Sequence, residues 1–142
     1  MTLKRKNIAI TVLTATLMAS GIITTANAAV YNASSDTVIV QKNHTVNSDT
    51  KTEKTSATGS NGYITFNSRI PATDTVIVYI KNSKNNIVST DRGRFSGVSA
   101  GTMKTLQYLS GKGSKGNKFY PSFSLDNGSQ SSSLSISYTF EP

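Results

Sequence analysis

Apolar and polar residues alternate most cleanly near the end of the chain. There Leu134, Ile136, Tyr138 and Phe140 fall on one side, and Ser133, Ser135, Ser137 and Thr139 on the other. A period of two marks a strand with one face on a core and one in water. The same period sets Phe119, Pro121, Phe123 and Leu125 against Tyr120, Ser122 and Ser124, and Ile64 and Phe66 against Tyr63 and Thr65. The stretch Thr73–Asn82, TDTVIVYIKN, departs from this pattern. Val76, Val78 and Ile80 share one face, while Ile77 and Tyr79 make the other face apolar as well. A β-branched and aromatic run with two apolar faces predicts a central strand, around which the remaining strands are organised. Asp36–Val40 and Asp74–Val78 both read DTVIV, so the two segments are expected to be related strands of a sandwich.

Between these runs the chain is punctuated by turn residues. Thr37–Gln41 reads as the first strand. The region 42–61 is almost wholly polar and reads as a loop or edge region, within which Thr45–Thr55 is either a strand exposed on both faces or a long loop. Gly59 and the Asn61-Gly62 pair predict a tight turn leading into the Tyr63–Asn67 strand, because these residues accept positive φ at low cost. Pro71 makes residues 68–73 a connection. Ser83–Asn86 reads as a turn, Ile87–Thr90 as a short edge strand, and Asp91–Gly101 as an irregular loop pinned by Phe95. Met103–Leu109 is a strand of which Lys104, Leu106 and Tyr108 share a face; its spacing of three also fits a short helix. About seven short strands separated by Gly, Asn and Ser turns predict an all-β fold, a small antiparallel β-sandwich, with a small closed β-barrel as the alternative.

The first 28 residues stand apart. Lys4, Arg5 and Lys6 precede an apolar run from Ile8 to Ile23, which ends in Ala26-Asn27-Ala28. This is the layout of a secretory signal peptide cleaved after Ala28, leaving a single secreted β domain, residues 29–142. Three of the fifteen basic residues and none of the seven acidic ones lie in the leader, so the exported product carries +5 rather than +8. That charge favours anionic partners, and it also serves solubility. There is no cysteine, which excludes disulfides, thiol chemistry and a lipid-bearing cysteine. A cysteine-free exported chain rich in Ser, Thr and Asn resembles the exported proteins of Gram-positive bacteria. The last residues, Tyr138–Pro142, form neither a hydrophobic tail nor a basic stop, so the product is expected to be released or held at the surface non-covalently.

Candidate chemistry is sparse and basic. The loop Gly111–Lys118, GKGSKGNK, brings Lys112, Lys115 and Lys118 onto glycine-rich backbone whose N–H groups suit a phosphate or carboxylate. It is not a nucleotide-binding P-loop, because Asn117 follows Gly116 where that motif needs Lys. Arg92 and Arg94 flank Gly93 beside Phe95 and form a second candidate anion contact. Tyr108 and Tyr120 are candidate aromatic contacts, since tyrosines on a sheet can stack on a ligand while keeping their hydroxyls wet. His44 is the sole histidine and has no acid at useful spacing, there is no nucleophile elbow, and no acid cluster suggests a metal. The sequence therefore predicts no enzyme, no cofactor and no physiological nucleic-acid partner. It predicts a secreted or surface-associated protein that engages an anionic polymer such as cell-wall material. The alternatives are a bacteriocin-like or membrane-active antagonist and a self-assembling matrix protein.

Overall fold

The computed structural model describes residues 32–57, 61–90 and 93–142. The expected leader and its cleavage site, residues 58–60 with Gly59, and Asp91 and Arg92 lie outside the described residues. Nine strands follow in order: β1 (Ser34–Gln41), β2 (Val46–Asn47), β3 (Thr52–Glu53), β4 (Gly62–Phe66), β5 (Val76–Asn82), β6 (Gly93–Phe95), β7 (Thr102–Leu106), β8 (Lys118–Leu125) and β9 (Ser133–Glu141). They form two antiparallel sheets, one ordered β1-β9-β4-β7, the other β2-β8-β5-β6 with β3 also on β8. The sheets are not closed on each other, so the fold is the β-sandwich and not the barrel. Among the described residues no helix is long and apolar enough to cross a membrane.

The period-two pattern does what the sequence predicts. Ile64, Phe66, Ile136, Tyr138 and Phe140 of the first sheet are buried against Val76, Val78, Ile80, Phe119 and Phe123 of the second. Fully burying an apolar side chain of this size stabilises the fold by about 1.5–3 kcal/mol. Phe123 and Tyr138 meet across the layer with ring centroids 4.6 Å apart, and Phe66 meets Phe95 edge-on at 5.4 Å. The central strand is interior to its sheet: β5 is paired by β8 along Val76–Asn82 and by β6 along Val76–Val78. The two DTVIV segments occupy different sheets, one at an edge and one at the centre.

Three stretches differ from the sequence reading. Gly93–Phe95 is a strand paired to β5, not irregular loop, because Phe95 and Val76 are partners on the core side. Ile87–Thr90 is not a ladder strand. It forms single bridges to Lys81 of β5 on one side and to Tyr108, just past β7, on the other. Thr45–Thr55 is neither a free loop nor a single strand exposed on both faces; it supplies edge pairing to the second sheet. β2 and β3 pair opposite ends of β8, and residues 48–51 bulge where only Tyr120 and Pro121 stand opposite. That ladder turns Ser48, Thr52 and Lys54 inward, and all three are buried.

A lysine-bordered cleft at one end of the second sheet

Two loops meet where β5 ends and β8 begins. The first is the turn after β5. Asn85 holds a left-handed φ of 65°, and Asn82 Oδ1 accepts from the backbone N–H groups of Lys84 and Asn86 at 3.0 Å each. Such side-chain-capped turns are what Asn supplies and most residues cannot. The second is the basic glycine loop between Leu109 and β8. Its backbone is tied rather than free: Lys112 N–H donates to Leu109 O, Asn117 N–H to Ser114 O, and Gly116 N–H to Lys54 O at 2.8 Å. Gly113 at φ 68° is buried against the Tyr108 ring.

Between the two loops lies a cleft of about 350 Å³. Lys84, Lys112 and Lys118 border it, with Asn82, Ser114 and Asn117 as polar neighbours. Val88 and Phe119 supply its apolar part, and among the described residues no acidic side chain lines it. Glu53 stands opposite Lys118 in the β3–β8 register, with no ion pair between them. A second depression of about 200 Å³ lies beside Thr90, Gly93 and Leu106, and its described lining residues are uncharged. Three ammonium groups around one concavity attract an anion, and the amides and hydroxyls add neutral hydrogen bonds.

The sequence-derived candidates separate in the fold. Lys112 and Lys118 border the cleft, whereas Lys115 lies outside its lining. Arg94 projects from the outer face of β6 and is paired with Asp126 at 2.7 Å, far along the sheet from the lysines. Arg92 lies outside the described residues. Tyr108 is 9% exposed, packs edge-on against Phe119 at 5.1 Å, and offers no face for stacking. Its hydroxyl is buried without a hydrogen bond, and burial pushes its pKa well above the usual tyrosine value. Tyr120 is 5% exposed; its hydroxyl donates to Asn85 Oδ1 at 2.9 Å, and the Lys51 ammonium lies 5.7 Å from its ring centre. Its hydroxyl titrates higher than usual, again through burial.

Two lysines that sequence reasoning passed over matter here. Lys84 joins the cleft from a turn that looked like plain connection. Lys54 is fully buried beneath the glycine loop, with Nζ 2.7 Å from Ser56 Oγ and 4.8 Å from the Tyr108 ring centre. Burial lowers its pKa, since a desolvated ammonium is disfavoured. It anchors the loop from below and is not a ligand contact. The one sequence signal was a lysine in phase with Thr52, visible only once the strand was known.

Among the described residues no three His, Cys, Asp or Glu side chains gather as metal ligands. His44 is exposed in the turn after β1. Asp74 serves structure, accepting from Ser131 N–H at 2.8 Å and Ser131 Oγ–H at 2.6 Å. Fold and site define the class, a two-sheet β-sandwich with a lysine-bordered cleft at the end of one sheet. Comparison with protein-family models, with curated protein sequences and with solved structures finds no match.

Proposed function

We propose that this is an exported, non-enzymatic binding protein that engages an anionic polymer of the cell surface, such as cell-wall material. The observation that carries the reading is the convergence of Lys84, Lys112 and Lys118, from two separate loops, on one cleft with no acid among its described lining residues. Export is supported by the leader-like first 28 residues, and an anionic partner by the net positive charge. Exposed ammonium groups bind through screened Coulomb attraction, so binding weakens as salt rises.

The test is co-sedimentation of the purified protein with isolated cell walls and with anionic liposomes, at low and high salt. Pelleting with walls that declines with salt is expected. The variant K84S/K112S/K118S, checked for an unchanged thermal transition, loses it. Wall binding that survives in that variant would rule out the cleft. A second reading, membrane activity, is favoured by Ile87 and Leu109, which are 47% and 39% exposed in the segments adjoining the cleft residues Val88 and Gly111. Cations beside exposed apolar side chains suit an anionic lipid surface. Pelleting with liposomes and dye release from them, without wall binding, would replace the first reading with this one.

A further inference from the structure

The outer face of the second sheet adjoins the cleft at the turn after β5, since Asn82, Ser83 and Lys84 line the cleft and Lys81 precedes them. The register sets Asn47, Ser122 and Tyr79 side by side across β2, β8 and β5, with Tyr120 and Lys81 forming the next row toward the cleft. Lys81 Nζ donates to Asn47 Oδ1 and Asn85 Oδ1, at 3.1 Å each. Lys51, from the bulge between β2 and β3, lies over Tyr120 and reaches Ser83 O at 3.5 Å. Ser83 and Lys84 also line the cleft, so a single turn belongs to both surfaces. Ser122 and Tyr120 are buried within these rows, so the accessible groups are Asn47, Lys51, Tyr79 and Lys81. Tyr79 is half-exposed there. The acids nearest in sequence to Lys51 are Asp49 and Glu53, and neither forms an ion pair with it.

We infer that the cleft is one end of a longer track for a linear polyanion, which continues over the 83–86 turn onto this sheet face. The inference rests on the reading of the cleft as an anion site. It adds that the ligand is a chain rather than a single anionic group. Lys84, Lys112 and Lys118 hold one stretch of the chain, and Lys51 and Lys81 hold the next. Tyr79 packs on the uncharged units between charges, as a half-exposed tyrosine suits. From Tyr79 to Asn82 the strand alone advances about 10 Å, so track and cleft together span several charged units of an extended polymer. The far end is bounded by Arg94, whose charge is already taken by Asp126.

The experiment compares inorganic tripolyphosphate with long-chain polyphosphate, titrated by calorimetry into the wild type, K51S/K81S and K84S/K112S/K118S. Lys51 is exposed and Lys81 half-exposed, so the double variant is expected to keep the fold. It is expected to bind tripolyphosphate as the wild type does. Its long-chain affinity is expected to fall about 3- to 10-fold, and its salt dependence to become shallower by about one to two counterions. The triple variant loses both ligands. Unchanged long-chain binding in the double variant overturns the track and leaves the cleft standing. Equal loss of both ligands in the double variant also overturns it, since the lysines would then act as one diffuse field. If the wild type binds neither ligand, the cleft reading itself fails.

Discussion

At the scale of single residues, the glycine loop is held by one contact that only glycine permits. A Cβ added to Gly113 would sit 2.5 Å from Tyr108 Cγ, on backbone already at φ 68°. Tyr108 cannot retreat, because Phe119 packs against its ring and the Lys54 ammonium lies over it. Gly113→Ala is therefore expected to cost about 1–3 kcal/mol, combining left-handed strain with overpacking. Because Lys112 neighbours the displaced backbone, the variant should also bind tripolyphosphate more weakly. Urea unfolding and calorimetry check the two effects separately. A variant as stable as wild type would show that the loop is looser than this packing implies. Gly116, with no heavy atom within 4 Å of its added Cβ, shows the contrast: there φ alone demands glycine.

At the scale of elements, one carboxylate fastens the start of β5 to the turn between β8 and β9. Asp74 is 1% exposed and accepts both hydrogen bonds from Ser131, while Gln130 N–H donates to Thr73 O at 3.1 Å. The Ser131 hydroxyl, then its backbone N–H, hold the Asp74 carboxyl below the usual carboxylate range. Arg94 and the Gly128 N–H do the same for Asp126. A carboxyl whose folded pKa lies below its unfolded value contributes its full stabilisation above the unfolded pKa, near 3.9. It loses that contribution as pH falls through the folded pKa. The melting temperature should thus decline below about pH 4, and Asp74→Asn should lower stability at neutral pH while flattening part of that decline. An acid limb identical in wild type and variant would remove Asp74 from the explanation, leaving Asp126.

The same scale shows where sequence patterning fails. β8 was legible as a strand, yet its supposed outer face is buried too: Tyr120 and Ser122 are 5% and 0% exposed. Lys51 and Asn85 cover Tyr120, and neither neighbour can be read from the alternation of β8 itself. The Thr45–Thr55 stretch misled for the opposite reason. Its inward residues are polar, so no apolar period announced the ladder that β2 and β3 make with β8.

At the scale of the whole molecule, the pairing is almost entirely non-local. β1 pairs with β9 over the full Ser34–Gln41 length, and β9 also supports β4. β8 gathers β2, β3 and β5, none of which is adjacent to it in sequence. Such pairings close long loops before any contact stabilises them, so folding is expected on the millisecond-to-second scale. Stopped-flow refolding monitored by tyrosine fluorescence checks this, and microsecond refolding would contradict the topology.

The repeated pentapeptide separates what the chain determines locally from what the assembled fold decides. In both copies of DTVIV the valines point inward: Val38 and Val40 are 7% and 0% exposed, and Val76 and Val78 are both 0%. That much follows from β geometry, since alternation is a property of the extended chain itself. The outward isoleucines diverge, with Ile39 61% exposed and Ile77 only 7%. β1 is an edge strand, while β5 is flanked by β8 and β6, and sheet position is set by partners distant in sequence. The aspartates diverge likewise: Asp36 accepts from the backbone N–H of its neighbour Thr37, while Asp74 is buried on Ser131. The site follows the same division. Local pattern was enough for strands β1, β4, β5, β8 and β9, for the basic loop and for the all-β class. Only tertiary structure placed Lys84 beside Lys112 and Lys118, buried Lys54 and Tyr108, and paired Arg94 with Asp126, because each of those outcomes depends on contacts between segments far apart along the chain.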